Sequence, residues 1–368
     1  MFPSHSIVTA IDISIKRRLK VRLILSKIIK NLKVSSIVII SFVASGLYPA
    51  YADKTLETVK ENGYIKCGVS QGLMGFSNPD DKGNWTGIDV DVCRAVSAAI
   101  FGSDKNVKYI ALSNKERFAA LQSGEVEVLS RNTTYSMQRD TALGIDFVGI
   151  NYYDGQSFMV RKELGVKSIS ELSGASLCSN LGTTTELNAA DYFTSAGMDY
   201  EIITFEKADE TVSAYNSGRC DVYTTDQSGL YAQRLKFTNP DEHIILPEVI
   251  SKEPLGPAVR QGDSQWADIV RWSLYAMISA EELGVSSKNI DSKAKLRNPD
   301  IRRLLGNDGT FGENLGIRKD WAKQIIIHVG NYGESFERNV GKGSPLGIVR
   351  GQNALWRNGG LQYSPPIR

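Results

Sequence analysis

ERFAALQSGEVEVLSRNTTYSMQRD, residues 116–140, is the stretch that determines the fold we expect for this chain. A capping box at residues 113–116 (SNKE) opens a helix that ends at Ser123-Gly124, and an apolar run of strand length follows it. The same helix, turn and strand recur 94 residues later as ETVSAYNSGRCDVY, residues 210–223. This repeat predicts two lobes of similar build, although chance similarity between two amphipathic helices would give the same echo.

The segments before this stretch also alternate between strand and helix. Residues 64–69 and 107–111 are predicted strands, and a helix with an apolar face lies between them at residues 88–101. Alternation at this spacing indicates an α/β domain with mostly parallel strands. Polar loops, 131–134 (RNTT) and 224–226 (TTD), follow the strand in each copy of the repeat. Because ligands bind at the carboxyl ends of such strands, we expect a cleft between the lobes.

Composition and motifs exclude several classes of protein. Of the 368 residues, 42% are hydrophobic and 23% charged, which is typical of a folded protein with a core in each of two domains. The three histidines, His5, His243 and His328, lack metal-ligand spacing, so no metal site is expected. The sequence GVSQG, residues 68–72, matches a nucleophile elbow, but turn-like residues follow it instead of a helix. Without a P-loop or a GxGxxG motif, we expect no cofactor.

The first 52 residues have the features of a secretory signal peptide. Eight basic residues precede an apolar run at 34–47 and the A-x-A site Ala50-Tyr51-Ala52, so we expect cleavage after Ala52 and an exported protein. The alternative is an uncleaved anchor, although 14 apolar residues are short for a membrane span. Cleavage would change the net charge from +2 to −5, which does not support nucleic-acid binding. No later segment approaches a membrane span.

All four cysteines lie in the predicted mature chain. They allow three connectivities, and export implies an oxidising compartment in which disulfides persist. We expect the pairs Cys67–Cys93 and Cys178–Cys220, because each pair then lies within one lobe. The alternative is four reduced, buried cysteines.

Three features at strand ends suit a zwitterionic ligand. Residues 182–186 (GTTTE) separate a strand from a helix, where free N–H groups favour an anion; the alternative is a plain capping box. Arg139 can grip a carboxylate bidentately, or it is a surface residue. Asp226 can complement an ammonium group, or it caps a helix. Together they suit an amino acid. Four aromatic residues could line the pocket for its side chain, although core packing is the simpler explanation for any single one of them: Phe76, Trp85, Tyr135 and Tyr152.

Several stretches resemble the amino-acid-binding proteins of ABC importers. The chain is most similar to the general L-amino-acid-binding subfamily, within solute-binding family 3, which has the type II periplasmic binding protein fold. The stretches are KCGVSQGLMGFSNPDDKGNWTGIDVDVCRAVSAAIFG (66–102), RNTTYSMQRD (131–140), LGTTTELNAADYF (181–193), RCDVYTTDQSGLYAQR (219–234) and YGESFERNVGKGSPLGIVRGQNALW (332–356).

The resemblance implies roles for particular residues. It assigns the ligand carboxylate to Arg139 and Thr184, and the ammonium to Asp226. Residues 72–75 (GLMG) stand where many relatives have a stacking aromatic, which implies a roomier and less selective pocket. The other implied site residues are Asn132, Thr134 and Thr183.

The resemblance also implies the architecture. It predicts an α/β fold of two Rossmann-like lobes joined by a two-strand hinge, with a helical C-terminal extension. The implied lobes are residues 53–156 with 255–368, and residues 157–254, connected by strands near 153–157 and 251–257.

The expected function is that of a periplasmic binding component of an ABC transporter. It would capture L-amino acids with broad specificity by closing its lobes, act as a monomer, and deliver the ligand to the inner-membrane permease. The alternative is an enzyme of the cyclohexadienyl or arogenate dehydratase type on the same fold. That enzyme would need an acid or base beside the ligand, and Glu186 is the nearest candidate.

Overall fold

Two five-stranded mixed sheets form the framework of the computed structural model, which describes residues 54–368. The predicted signal peptide and its cleavage position lie outside the described residues. The strands are β1 Ile65–Val69, β2 Asn78–Pro79, β3 Trp85–Thr86, β4 Val107–Ala111, β5 Val128–Leu129, β6 Ile145–Phe147, β7 Tyr152–Asp154, β8 Gln156–Arg161, β9 Ala175–Asn180, β10 Tyr200–Phe205, β11 Val222–Asp226, β12 His243–Ile245, β13 Glu253–Leu255 and β14 Ala258–Arg260.

Helices cover these sheets and extend the chain beyond them. Among residues 54–368 no helix is both long enough and apolar enough to span a membrane. The helices are α1 Lys54–Asn62, α2 Ile88–Phe101, α3 Arg117–Ser123, α4 Met137–Ala142, α5 Thr184–Ser195, α6 Ala208–Asn216, α7 Gln227–Arg234, α8 Ser264–Glu282, α9 Ile290–Lys293, α10 Pro299–Leu304, α11 Phe311–Asn314, α12 Trp321–His328 and α13 Tyr332–Asn339.

The two sheets share one topology, which confirms the predicted two-lobed α/β fold. The first sheet has the order β4-β1-β5-β14-β6, and the second has the order β10-β9-β11-β8-β12. In each, the three strands at one edge are parallel, and the next strand joins them antiparallel. The repeat seen in the sequence corresponds to α3–β5 in one sheet and α6–β11 in the other. We call the parts built on these sheets the first and second lobes.

The quoted stretch folds as its local signals predict. The capping box is present, because the backbone N–H of Ser113 donates to the Glu116 carboxylate and that of Glu116 donates to the Ser113 hydroxyl. Helix α3 ends at Gly124, whose φ of 81° is a left-handed conformation that glycine adopts without strain. The strand is shorter than predicted, since only Val128–Leu129 pair within the sheet.

Two strands connect the lobes. β7 leads into β8 of the second sheet, and β13 leads back to β14 of the first sheet. They pair antiparallel, with Glu253 opposite Asp154 and Leu255 opposite Tyr152. The chain therefore crosses twice between the lobes at the same place, which is the arrangement of a hinge.

The C-terminal helices belong to the first lobe. Asp91 on α2 is buried and accepts hydrogen bonds from three α13 side chains: Ser335 (2.6 Å), Asn339 (2.7 Å) and Arg338 (2.5 Å). Phe336, between them, is fully buried in the core of this lobe. The expected helical C-terminal extension is thus an integral layer of the first lobe.

Each lobe contains one disulfide. Cys67 on β1 bonds to Cys93 on α2, and Cys178 on β9 bonds to Cys220 just before β11. Both predicted pairings are confirmed. Neither bond crosses between the lobes, so neither restricts a hinge motion.

Candidate ligand-binding site

A cavity of about 270 Å³ lies between the lobes, at the carboxyl ends of their parallel strands. This is the edge of the sheet at which α/β proteins bind ligands. The first lobe contributes Ser70, Gln71, Gly72, Leu73, Asn114, Arg117, Arg131, Asn132 and Thr134, and the second contributes Asn180, Thr183, Thr184, Thr185, Glu206, Lys207, Ala208, Asp209, Tyr223, Thr225, Asp226, Gly229 and Gln233.

The first turn of α5 presents backbone N–H groups to the cavity. Thr183 is the N-cap, and its hydroxyl accepts a hydrogen bond from the N–H of Glu186 (3.2 Å). The Glu186 carboxylate in turn accepts from the N–H of Gly182 (2.9 Å), the residue before the N-cap, so Glu186 has the structural role of fixing the turn that leads into α5. Because the first N–H groups of a helix have no intrahelical partner, those of Thr184 and Thr185 can bind an anion.

Asp226 supplies a buried carboxyl group on the same lobe. It ends β11 and lines the cavity, and its carboxylate accepts no hydrogen bond from any residue in the range 54–368. Burial raises the pKa of Asp226 well above its usual value, and the nearby carboxylates of Asp154 and Glu253 raise it further. A cation placed against Asp226 would relieve this cost.

Three buried arginines surround the first-lobe side. Arg117 and Arg131 line the cavity, whereas Arg139 lies behind Thr134 and donates to its carbonyl oxygen (3.0 Å). Arg131 donates from Nε to the carbonyl of Leu112 (2.9 Å). Nε of Arg117 and Nη1 of Arg131 are buried without a hydrogen-bond partner within residues 54–368. The cavity therefore holds more cationic donors than Arg139 alone would supply.

Burial is also the main influence on these guanidinium groups. It lowers the pKa of Arg131 to about 10, and it lowers the pKa values of Arg117 and Arg139 as well. The charges of Glu253 and Asp226 oppose this effect at Arg139. Arg139 is therefore electrostatically linked to the site although it does not line the cavity.

Asn132 is held in an unusual backbone conformation. Its φ is +32°, and its N–H donates to the carboxylate of Asp89 (2.7 Å), which also accepts from Asn151 (2.8 Å). Burial raises the pKa of Asp89 to about 6. This network turns Asn132 toward the cavity and leaves its side-chain oxygen without a partner among the described residues.

The structure brings together five of the six predicted ligand-binding residues at the cavity, with Arg139 just behind them. None of the four predicted wall aromatics lines the cavity described here. They pack instead in pairs: Phe76 with Tyr152 (5.1 Å between ring centres), Trp85 with Tyr109 (5.8 Å), and Tyr135 with Phe147 (4.6 Å).

Sequence reasoning missed three buried charged residues of this region. Arg117, Arg131 and Glu253 were not among the predicted site residues. Arg131 begins the polar loop after a strand, and that position is the one signal that could have identified it. Glu253 accepts hydrogen bonds from the hydroxyls of both Thr134 (2.6 Å) and Thr184 (2.8 Å). Thr134 lies 119 residues before Glu253 in the chain, so no local pattern could have indicated this contact.

Comparison with known proteins places this geometry in a family. The profile of the bacterial extracellular solute-binding proteins, family 3, matches residues 65–289. The general L-amino acid-binding periplasmic protein AapJ of Rhizobium johnstonii is 58% identical over 341 residues, covering 92% of this chain and all of AapJ. The glutamate/glutamine/aspartate/asparagine-binding protein BztA of Rhodobacter capsulatus is 50% identical, covering 87% of this chain and 95% of BztA.

A solved structure agrees with the fold. An ABC transporter periplasmic binding protein from Brucella ovis, with glutathione bound, superposes with a TM-score of 0.84 at 58% identity, covering 85% of this chain and 99% of that one. The match includes both lobes and their type II periplasmic binding protein architecture. On this evidence the chain belongs to the bacterial extracellular solute-binding proteins of family 3.

Proposed function

We propose that this protein captures L-amino acids in the periplasm, with a broad ligand range, and delivers them to the permease of an ABC importer. The observation that carries the proposal is the charge arrangement of the cavity, which is lined by a buried carboxyl group at Asp226, by the N-terminus of α5 and by the buried arginines Arg117 and Arg131. An amino acid needs both charges at a fixed spacing. The relationship to AapJ over its full length supports the broad range.

The proposed roles follow the charges. Asp226 binds the α-ammonium, and the first turn of α5 at Thr184 binds the α-carboxylate, with Thr183 fixing that turn and Arg139 adding positive charge. Asn132 and Thr134 complete the first-lobe side. The cavity residues belong to both lobes, so ligand contacts stabilise their closed arrangement.

The proposal includes processing and assembly. Cleavage after Ala52 would release a monomer whose lobes are residues 53–156 with 255–368, and residues 157–254. The pairing of β7 with β13 near both boundaries supports this division. The protein is not an enzyme, since its full-length relatives are solute-binding proteins, and the dehydratase alternative is not supported.

A second ligand class is favoured by the unpaired donors of Arg117 and Arg131. A single α-carboxylate does not engage both of these guanidinium groups, and each keeps one buried nitrogen without a hydrogen-bond partner among residues 54–368. A γ-glutamyl peptide such as glutathione carries a second carboxylate beside one α-amino acid group, and a relative of 58% identity has glutathione bound. We therefore include peptides of this type among the proposed ligands.

Calorimetry on residues 53–368, refolded to remove carried-over ligand, tests both ligand classes. The titrants are the twenty L-amino acids, glutathione and a sugar. We expect binding of many amino acids, with Asp226→Asn much weaker and Asp191→Asn, an exposed α5 change, unaffected. Absence of amino-acid binding by the wild type would refute the main proposal, and glutathione binding alone would favour the second class.

A further inference from the structure

Glu253 joins both lobes through four short hydrogen bonds. Its side chain is buried, at 1% exposure, on the connecting strand β13. Oε2 accepts from the hydroxyls of Thr134 in the first lobe (2.6 Å) and Thr184 in the second (2.8 Å). Oε1 accepts from the amide of Asn188 on α5 (2.6 Å) and from the hydroxyl of Ser251 (2.7 Å). One carboxylate thus contacts the first lobe, the second lobe and the hinge.

The backbone around Glu253 explains why these groups meet. The N–H of Tyr135 donates to the carbonyl of Pro254 (2.8 Å), and the N–H of Gly256 donates to that of Thr133 (3.0 Å). The loop that carries Thr134 is therefore fixed to the connecting strand. Only the bonds from Glu253 to Thr184 and Asn188 on α5 therefore depend on the position of the second lobe.

The chemistry of these bonds restricts what the two threonines can do. A hydroxyl has one proton to donate, and a carboxylate can only accept. While Thr134 and Thr184 donate to Glu253, neither hydroxyl can donate to a ligand carboxylate as well. The ligand carboxylate is then left to the backbone N–H groups of α5 and to arginine.

We propose that Glu253 is an internal carboxylate that positions Thr134 and Thr184 and holds the two lobes in the closed arrangement before a ligand enters. This proposal rests on the proposed function in one respect, which is that the closed arrangement of the lobes is the one that retains the ligand. The residue touches no ligand in this proposal and acts through the two threonines and Asn188.

The expected effects follow from the bonds to α5. A hydrogen bond to a charged group contributes enough that its loss changes an equilibrium by about tenfold or more. We expect Glu253→Gln to lower the ratio of closed to open molecules by about this factor without ligand. The apparent Kd for an amino acid rises as the closed fraction falls, because binding must then also close the lobes.

The matched control is Glu127→Gln. Glu127 is also buried, at 4% exposure, and accepts a hydrogen bond from the N–H of Lys66 (2.6 Å), but both residues lie in the first lobe. The same change of carboxylate to amide there removes no contact between the lobes. It reports what loss of a buried carboxylate does to the fold alone.

The experiment measures lobe separation without ligand. Nitroxides on Ala119→Cys and Ser213→Cys, exposed positions on the equivalent helices α3 and α6, give the distance distribution by pulsed electron–electron double resonance. We expect a longer distance for Glu253→Gln and an unchanged one for Glu127→Gln. Calorimetry of the same variants should show a Kd rise of about tenfold for Glu253→Gln only.

A distance distribution for Glu253→Gln equal to the wild type would overturn the inference. If that variant does not fold, Asn188→Ala carries the test, because it removes one bond between Glu253 and α5 and does not line the cavity. An unchanged distribution there would overturn it equally. If the wild type binds no amino acid while the distances still shift, the proposed function fails and the role of Glu253 stands.

Discussion

Replacement of Asp226 by asparagine should weaken ligand binding and stabilise the ligand-free protein in the same molecule. The carboxylate is buried and accepts no hydrogen bond from the described residues, so without a ligand it costs folding free energy. Asparagine has the same shape and no charge. With a ligand, the lost partner is the only carboxylate proposed to contact the α-ammonium.

The magnitudes follow from the contacts. A hydrogen bond to a charged group contributes about 1.5–3 kcal/mol, so the Kd should rise roughly tenfold to hundredfold. The stability effect has the opposite sign and depends on pH. Because the folded pKa of Asp226 is raised above its unfolded value, the wild type loses stability as the pH rises through and above the unfolded pKa. The asparagine variant lacks this loss.

The assay combines calorimetry with thermal unfolding of ligand-free protein at about pH 4.5, just above the ordinary pKa of an aspartate side chain, and at about pH 7.5. We expect a higher Tm for Asp226→Asn than for the wild type at the higher pH, and a smaller difference at the lower. Asp191→Asn, on an exposed face, should change neither Kd nor Tm. A wild-type Kd, or a lower Tm at the higher pH, would refute the reasoning.

Three further outcomes are expected. Arg131→Gln should weaken glutathione binding by about tenfold and amino-acid binding less, because Arg131 lines the cavity and its positive charge is proposed to bind the second carboxylate; equal losses by calorimetry would contradict a second anion site. Lys115→Ala should raise the Kd less than about fivefold at low salt, because the ion pair of Lys115 with Glu206 (2.7 Å) joins the lobes at an exposed position. The double variant Lys115→Glu with Glu206→Lys should restore binding, and high salt should abolish the difference in Kd between Lys115→Ala and the wild type. Replacing Cys178 and Cys220 by serine should lower the free energy of unfolding in denaturant by about 2–5 kcal/mol with an unchanged Kd, and a changed Kd would show that the disulfide shapes the site.

Local patterns predicted much of the fold. The capping box at Ser113 and Glu116, the glycine that ends α3 and the repeat in α6 each depend on neighbours within a few residues, and the structure has all of them. The disulfide pairing was predictable once the lobes were assigned. The apolar run after α3, by contrast, did not predict the bounds of the strand, because β5 is shorter than that run.

The candidate site was partly predictable for the same reason. Thr184 begins the helix that follows β9, Asp226 ends β11, and parallel strands bring their carboxyl ends to one edge of a sheet. Their approach to the cavity follows from topology alone. The aromatic residues had no such constraint. Whether Phe76 lines the cavity or packs against Tyr152 depends on side-chain packing, which local sequence patterns do not report.

The sequence by itself therefore determined the two lobes, their alternation of helix and strand, and the residues that follow the strands. It also predicts an export signal. Only the tertiary structure decided that Arg139 lies behind Thr134 while Arg117 and Arg131 reach the cavity, and that Glu253 contacts both lobes. The physical reason is distance along the chain. Glu253 is separated from Thr134 by 119 residues, and such contacts arise from packing between elements, which periodicity and spacing within a single segment do not report.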